Sequence, residues 1–142
     1  MRDLPRQLTV EELADLFEGR TGFVERLAGL DDPLGRAREV AASLSDEEKK
    51  EVLDAHPAIG ATKGLSARSA AEQGSDEAPE LEELNRRYEE RFGFRFVVFV
   101  DRRPKSELVP ILRERLERTR EQELATALDE LVSIAEDRWR RS

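Results

Sequence analysis

The chain has 142 residues, 38% hydrophobic and 39% charged, which suits one domain enclosing a modest core. It has no cysteine, so disulfides, thiolate metal sites and cysteine nucleophiles are excluded, and a single histidine leaves only carboxylate-dominated metal sites open. A formal net charge of -8 argues against a nucleic-acid partner, because an acidic surface cannot displace counterions from a phosphate backbone.

The opening MRDLPRQLTV carries no apolar h-region, and no later run approaches the ~18 apolar residues of a membrane span. The sequence therefore predicts a cytoplasmic protein without membrane association. Thr9 and Glu12 form a capping-box pattern ahead of Val10, Leu13 and Phe17. Phe23, Leu27 and Leu30 predict a short second helix, stopped by Asp31-Asp32-Pro33; Leu34, Ala37, Ala41 and Leu44 continue at helical spacing. Ser45 with Glu48 opens a helix through Val52 and Leu53 that must end near His56, before Pro57.

Residues 57–66 read as loop, with Gly60 and Gly64, followed by a short helix through Ser69 and Gln73 that Gly74 closes. Leu81, Leu84 and Tyr88 define a helix ended by Gly93. Phe94 to Val100 (FRFVVFV) is the one β-type segment. A lone strand cannot build a sheet, so its backbone groups are expected to pair across a subunit interface or to face a ligand. Ser106 is expected to cap a helix carrying Leu108, Leu112 and Leu116, with Pro110 near its first turn. Thr119 with Gln122 opens a final helix whose stripe is Leu124, Leu128, Leu131 and Ala135. The fold class is all-α: a single-domain bundle over residues 1–142 of about eight helices, with one short extended segment.

Three polar residues occupy positions that the pattern assigns to the core: His56 continues the stripe of Val52 and Leu53, Arg115 that of Leu112, and Arg138 that of Leu131 and Ala135. On pattern alone the histidine reads either as a buried, satisfied ring or as a reactive group, and each arginine either as a snorkelling or ion-paired side chain or as an anion ligand. At a helix C-terminus the macrodipole would favour the imidazolium. Ser69, Glu72 and Gln73 share one helix face, although Ser-x-x-Glu is also an ordinary capping box. The GATKGLS stretch lacks P-loop spacing, no G-x-S-x-G elbow is present, and the acidic run at Glu80, Glu82 and Glu83 reads as a solvated face.

Four blocks in order, HPAIGA, SAAEQG, ELNRRYEERFGFRFVVFV and RERLERTREQELATALDELVSIAEDR, resemble the 2-oxo-4-hydroxy-4-carboxy-5-ureidoimidazoline (OHCU) decarboxylases. The resemblance covers roughly residues 55–138, with a fainter helical correspondence from Thr9. It implies cofactor-free, metal-free decarboxylation of a small ureidoimidazoline carboxylate to S-allantoin in urate breakdown; the lone apolar FRFVVFV segment and the limited core of 142 residues predict a homodimer. Position by position, it implies that His56 is the catalytic histidine, Glu72 its catalytic partner and Pro57 a neighbouring binding residue. Ser69, Ala70, Ala71, Glu72 and Gln73 resemble the substrate-binding helix, and Phe96, Val97, Val98, Phe99 and Val100 the extended segment whose backbone meets the substrate. Arg138 resembles the arginine that closes the site from the last helix. The stretch between His56 and Ser69 is short for the family. Two alternatives stand beside this reading: the same fold acting on a different ureido or imidazoline acid, and a catalytically inactive helical binding module.

Overall fold

Local capping chemistry starts most helices in the computed structural model, which describes residues 7–57 and 79–141. Thr9 and Glu12 close a reciprocal capping box on α1 (Val10–Leu16), and Ser45 with Glu48 does the same for α4 (Asp46–Asp54). The hydroxyl of Thr21 caps α2 (Gly22–Leu27), and the carboxylate of Asp32 caps α3 (Pro33–Ala42), which has proline at its start. Each such cap satisfies one of the amides a helix start leaves without a partner and contributes roughly 1 kcal/mol. Thr119 and Gln122 exchange backbone-to-side-chain hydrogen bonds at 3.0 and 3.2 Å to open α7 (Arg120–Arg141).

Between them lie α5 (Pro79–Phe92) and α6 (Lys105–Arg115), giving seven helices and no strand among the described residues. The further short helix expected through Ser69 and Gln73 lies outside them. One expected boundary is corrected. The residue capping α6 is Pro104, not Ser106, because the proline's φ of -63° and ψ of 151° already turn the chain into the helix. The Glu107 amide then closes the first turn on the Pro104 carbonyl at 2.9 Å, which leaves Pro110 inside the helix rather than in its first turn. No helix among the described residues is long and apolar enough to cross a membrane.

The long α7 is the spine. It packs against α1, α3 and α4; α2 bridges α1, α3 and α4, and α5 lies along α6. Its buried stripe of Leu124, Ala127, Leu128, Leu131, Val132 and Ala135 follows helical spacing down one side. On its solvent side, Arg38 of α3 reaches Asp129, Glu136 and Ser133, fixing the register of the two helices.

Gly93, at φ 80°, ends α5 and donates its amide to the Glu89 carbonyl at 2.9 Å. The chain then runs without helix or strand from Arg95 to Val100, the segment expected to be extended. Phe96, Val97, Val98 and Val100 are all buried, so the segment threads through the core and must be apolar on both faces. Tyr88 packs edge-on against Phe94 and Phe96, with ring centroids 5.8 and 5.1 Å away. Side chains of the same chain partner part of its backbone, where pairing across a subunit interface or with a ligand was expected. Arg115 donates to the Val97 carbonyl at 2.9 Å, and Arg103 to those of Phe99 and Val100 at 2.5 and 3.0 Å. The Phe99 amide meets the carboxylate of Glu130, and that of Arg95 the carboxylate of Asp54 at 2.9 Å.

Candidate active site

His56 follows the end of α4, three residues beyond Leu53, and its amide donates to the Leu53 carbonyl at 3.2 Å. Val52 and Leu53 are wholly buried, and the ring that continues their stripe is only 4% exposed. Arg95 holds this helix end in place. Its Nη1 donates to the His56 carbonyl at 2.6 Å and to the Asp54 carbonyl at 3.5 Å, so a cation meets carbonyls that the helix leaves open.

Neither Nδ1 nor Nε2 of His56 has a hydrogen-bond partner among the described residues. A buried polar group left in that state costs about 1–3 kcal/mol, and such groups need a reason. Burial pushes the imidazole from its usual 6.5 down to about 4, and the positive charges of Arg138 and Arg95 add to the effect. Glu18 and the nearby Val52 carbonyl oppose it, the carbonyl acting by proximity without hydrogen-bond alignment. This corrects the expectation from the macrodipole. Half a charge at a helix end cannot offset desolvation plus two guanidinium groups, so the ring is neutral at pH 7.

Arg138 comes from the last turn of α7 and is 2% exposed. Its Nη1 donates to the Leu16 carbonyl at 3.0 Å, and its Nη2 pairs with Glu18 Oε1 at 2.9 Å. An arginine thus caps the end of α1 as Arg95 caps that of α4. Of the residues expected in the site, the fold brings Arg138 into electrostatic contact with His56. Pro57 is half-buried beside the histidine in sequence. Ser69, Ala70, Ala71, Glu72 and Gln73 lie outside the described residues.

The extended segment divides. Phe96, Val97, Val98 and Val100 are buried, whereas Phe99 is half-exposed and lines a cavity of about 590 Å³ with Ser133, Glu136 and Arg140. Arg115, singled out on the same grounds as Arg138, does something different. Its Nε pairs with Glu123 Oε1 at 2.7 Å, and its guanidinium carbon stands 4.6 Å from the Phe96 ring centroid. Glu123, completely buried, also accepts from the Tyr88 hydroxyl at 2.6 Å and from Arg118 at 2.9 Å. This cluster fixes the segment rather than a reacting group. Sequence reasoning missed both Glu18 and Glu123. A carboxylate at the C-terminal end of a helix opposes the dipole, and that was the one signal available for Glu18.

Residues 2–140 match the OHCU decarboxylase family. The chain belongs to that family. The 2-oxo-4-hydroxy-4-carboxy-5-ureidoimidazoline decarboxylase of Haloferax volcanii is 29% identical over 141 residues, covering 89% of this chain and 84% of the relative. The uric acid degradation bifunctional protein PucL of Bacillus subtilis is 30% identical over 95% of this chain, which spans 30% of that longer relative. A crystal structure of OHCU decarboxylase in the presence of (S)-allantoin superposes with a TM-score of 0.68 at 26% identity, over 82% of this chain and 86% of the other. A structure of (S)-allantoin synthase gives 0.65 at 25% identity, over 91% of this chain and 47% of the other. The all-helical architecture is therefore the family's own.

Proposed function

We propose that the chain, acting as one domain, decarboxylates 2-oxo-4-hydroxy-4-carboxy-5-ureidoimidazoline to S-allantoin, with His56 as the proton-transfer group. The observation that carries the reading is the His56 ring, buried, neutral and without a hydrogen-bond partner among the described residues, beside the buried cation Arg138.

The substrate supplies its own electron sink. Its carboxylate sits on a carbon that also bears a hydroxyl and adjoins a ring C=N. When the carbon–carboxylate bond breaks, carbon dioxide leaves and its electron pair forms a ring C=C bond. The C=N pair moves onto nitrogen, which takes up one proton. The resulting enol then loses its hydroxyl proton and gains one at the neighbouring carbon, giving the ketone and the new stereocentre. No external electron sink is needed, so the protein's part is orientation, fixed charge and proton transfer.

A neutral imidazole suits the second stage. It accepts the hydroxyl proton and returns one to a single face of the ring carbon, a role typically worth ~10²–10⁴-fold in rate. Arg138, its fork anchored on Leu16 and Glu18, attracts the substrate carboxylate with its charge and remaining N–H donors. Glu72 orients the imidazole, and Pro57 with Ser69, Ala70, Ala71 and Gln73 contributes to the binding wall. The carbonyls of Val97, Phe99 and Val100 are engaged by arginines. The segment Phe96–Val100 therefore meets the substrate through amides other than that of Phe99, which Glu130 takes.

The test supplies freshly generated OHCU and follows S-allantoin by circular dichroism. Uncatalysed protonation from both faces gives a racemate, so an enantiomeric excess that scales with enzyme is the expected result. Formation of racemic allantoin at the blank rate would overturn the proposal. Turnover is expected to survive exhaustive chelation, and rescue of a chelated, inactive enzyme by a divalent ion would refute the cofactor-free mechanism.

We further infer a cytoplasmic homodimer. Apart from Phe99, the extended segment no longer supports dimerisation, because it is buried within the protomer. The inference rests on Phe99, Ile111 and Trp139, apolar side chains only partly covered by the chain itself. Light scattering should give twice the 16.2 kDa chain mass, and the monomer mass would refute it.

A further inference from the structure

Glu18 stands where local physics argues against it. It follows the C-cap of α1 with φ 66°, in the left-handed region where a side chain costs roughly 1–2 kcal/mol and glycine is the usual occupant. A glycine is in fact the next residue, and the Gly19 amide closes the turn on the Ala14 carbonyl at 2.9 Å. The carboxylate also sits at the negative end of the helix, and its side chain is only 10% exposed. A residue kept against strain, dipole and desolvation together points to function rather than to stability.

What meets it is Arg138, through the 2.9 Å contact to Nη2, while Nη1 of the same guanidinium is tied to Leu16 at 3.0 Å. The anchoring therefore fixes both the orientation and the charge balance of the arginine whose charge acts on His56. We propose that Glu18 is a positioning residue of the decarboxylase site, holding the Arg138 guanidinium in one orientation and balancing its charge beside the His56 ring. The proposal rests on the reading of His56 and Arg138 as site residues.

Among the described residues, the charged groups acting on the imidazole come from three elements: Glu18 after α1, Arg138 of α7 and Arg95 of the extended segment. The Val52 carbonyl of α4 adds a partial negative charge, and Arg95 is itself balanced by Glu89 at 3.4 Å and held beside Asp54. Of these three charged groups Glu18 alone is anionic. Its loss should leave the two arginines opposed, among the described residues, by the Val52 carbonyl alone.

Because the chain has one histidine, its imidazole proton resonance reports His56 without ambiguity. The experiment compares wild type, Glu18→Gln and Glu18→Asp by that titration and by kcat and KM on OHCU. Glu18→Gln keeps the side-chain size and removes the charge. It should lower the His56 titration midpoint by about half a unit or more and reduce kcat/KM at least about tenfold, mainly through KM. Glu18→Asp keeps the charge and should recover most of the titration shift while recovering only part of kcat/KM. An unchanged midpoint and unchanged kcat/KM in Glu18→Gln would overturn the proposal. If Glu18→Gln does not fold, Glu18→Asp decides: wild-type kinetics would overturn the proposal, and a raised KM at near wild-type melting would support it. Failure of the wild type to turn over OHCU would sink the decarboxylase reading instead, leaving the titration to decide on Glu18.

Discussion

Two buried glutamate–arginine pairs sit among the described residues, and they differ in everything except their chemistry. Glu123 lies in the first turn of α7, where the dipole favours an anion, and it gathers Tyr88, Arg115 and Arg118 around it. Arg115 in turn takes the Val97 carbonyl and stacks over Phe96, leaving only Nη2 without a hydrogen bond. Glu18 lies past the last turn of α1 in a left-handed conformation, opposed by the dipole, and pairs with an arginine near an imidazole that has no hydrogen-bond partner among the described residues. The first pair is reinforced by every local term. The second is kept in spite of them. A buried ion pair says little about function by itself. Whether its surroundings satisfy it, or strain it and set it beside an unsatisfied group, is what separates scaffold from site.

The contrast is sharpest at His56. Neither ring nitrogen has a partner among the described residues, so His56→Asn orphans no hydrogen bond there and should leave helix content nearly unchanged. Turnover should fall by about 10²–10⁴-fold, since asparagine cannot exchange a proton near neutral pH. Normal activity in that variant, by the S-allantoin assay, would remove His56 from the chemistry.

At the other pair the expected loss is stability. Glu123→Ala leaves Arg115 buried without its counter-charge, which should cost ~3–5 kcal/mol in denaturant unfolding. Activity per folded molecule should fall less than about tenfold, because the pair touches no reacting group. A stable but inactive Glu123→Ala protein would erase the distinction between the two regions.

The depressed imidazole makes a smaller, pH-dependent prediction. The unfolded chain's histidine binds its proton near 6.5, the folded one at about 4. Between those values the unfolded state carries the proton that the folded state refuses, so the contribution is full above pH 6.5 and is lost as pH falls toward 4. The loss across that window should approach about 3 kcal/mol. Subtracting the same measurement on His56→Asn cancels the carboxylates that also titrate there. Parallel stability curves for the two proteins would show that the folded imidazole titrates normally.

The smallest effect should come from Arg138→Lys, which keeps a charge but loses the planar fork. If Arg138 meets the substrate, kcat/KM should drop about tenfold, or ~1.4 kcal/mol, while the melting temperature moves only a few degrees. A much lower melting temperature with unchanged kcat/KM would make Arg138 a second Arg115.

Much of the scaffold was legible residue by residue. Thr9 with Glu12, Ser45 with Glu48 and Thr119 with Gln122 each predicted a helix start that the structure shows as a capping box or paired cap. Gly93 ended its helix as expected, and the apolar spacing selected the buried faces. Ser106 misled because Pro104, two residues earlier, had already set the backbone angles that start a helix. His56, Arg115 and Arg138 were visible as polar residues on apolar stripes, and all three are buried.

Their meaning was not visible. A cap joins atoms three residues apart, so the sequence alone determines it: both partners are present wherever the chain turns. The salt bridge of Arg138 to Glu18 and the hydrogen bond of Arg95 to the His56 carbonyl span most or much of the chain, and no local pattern marks which residues will meet. The charge state of His56 is more remote still. The helix dipole that the sequence displays favours the imidazolium, while the desolvation and the two guanidinium groups that reverse it exist only once α1, α4, α7 and the extended segment have packed together. Short-range hydrogen bonds fixed the helices, and long-range burial fixed the protonation on which the chemistry depends.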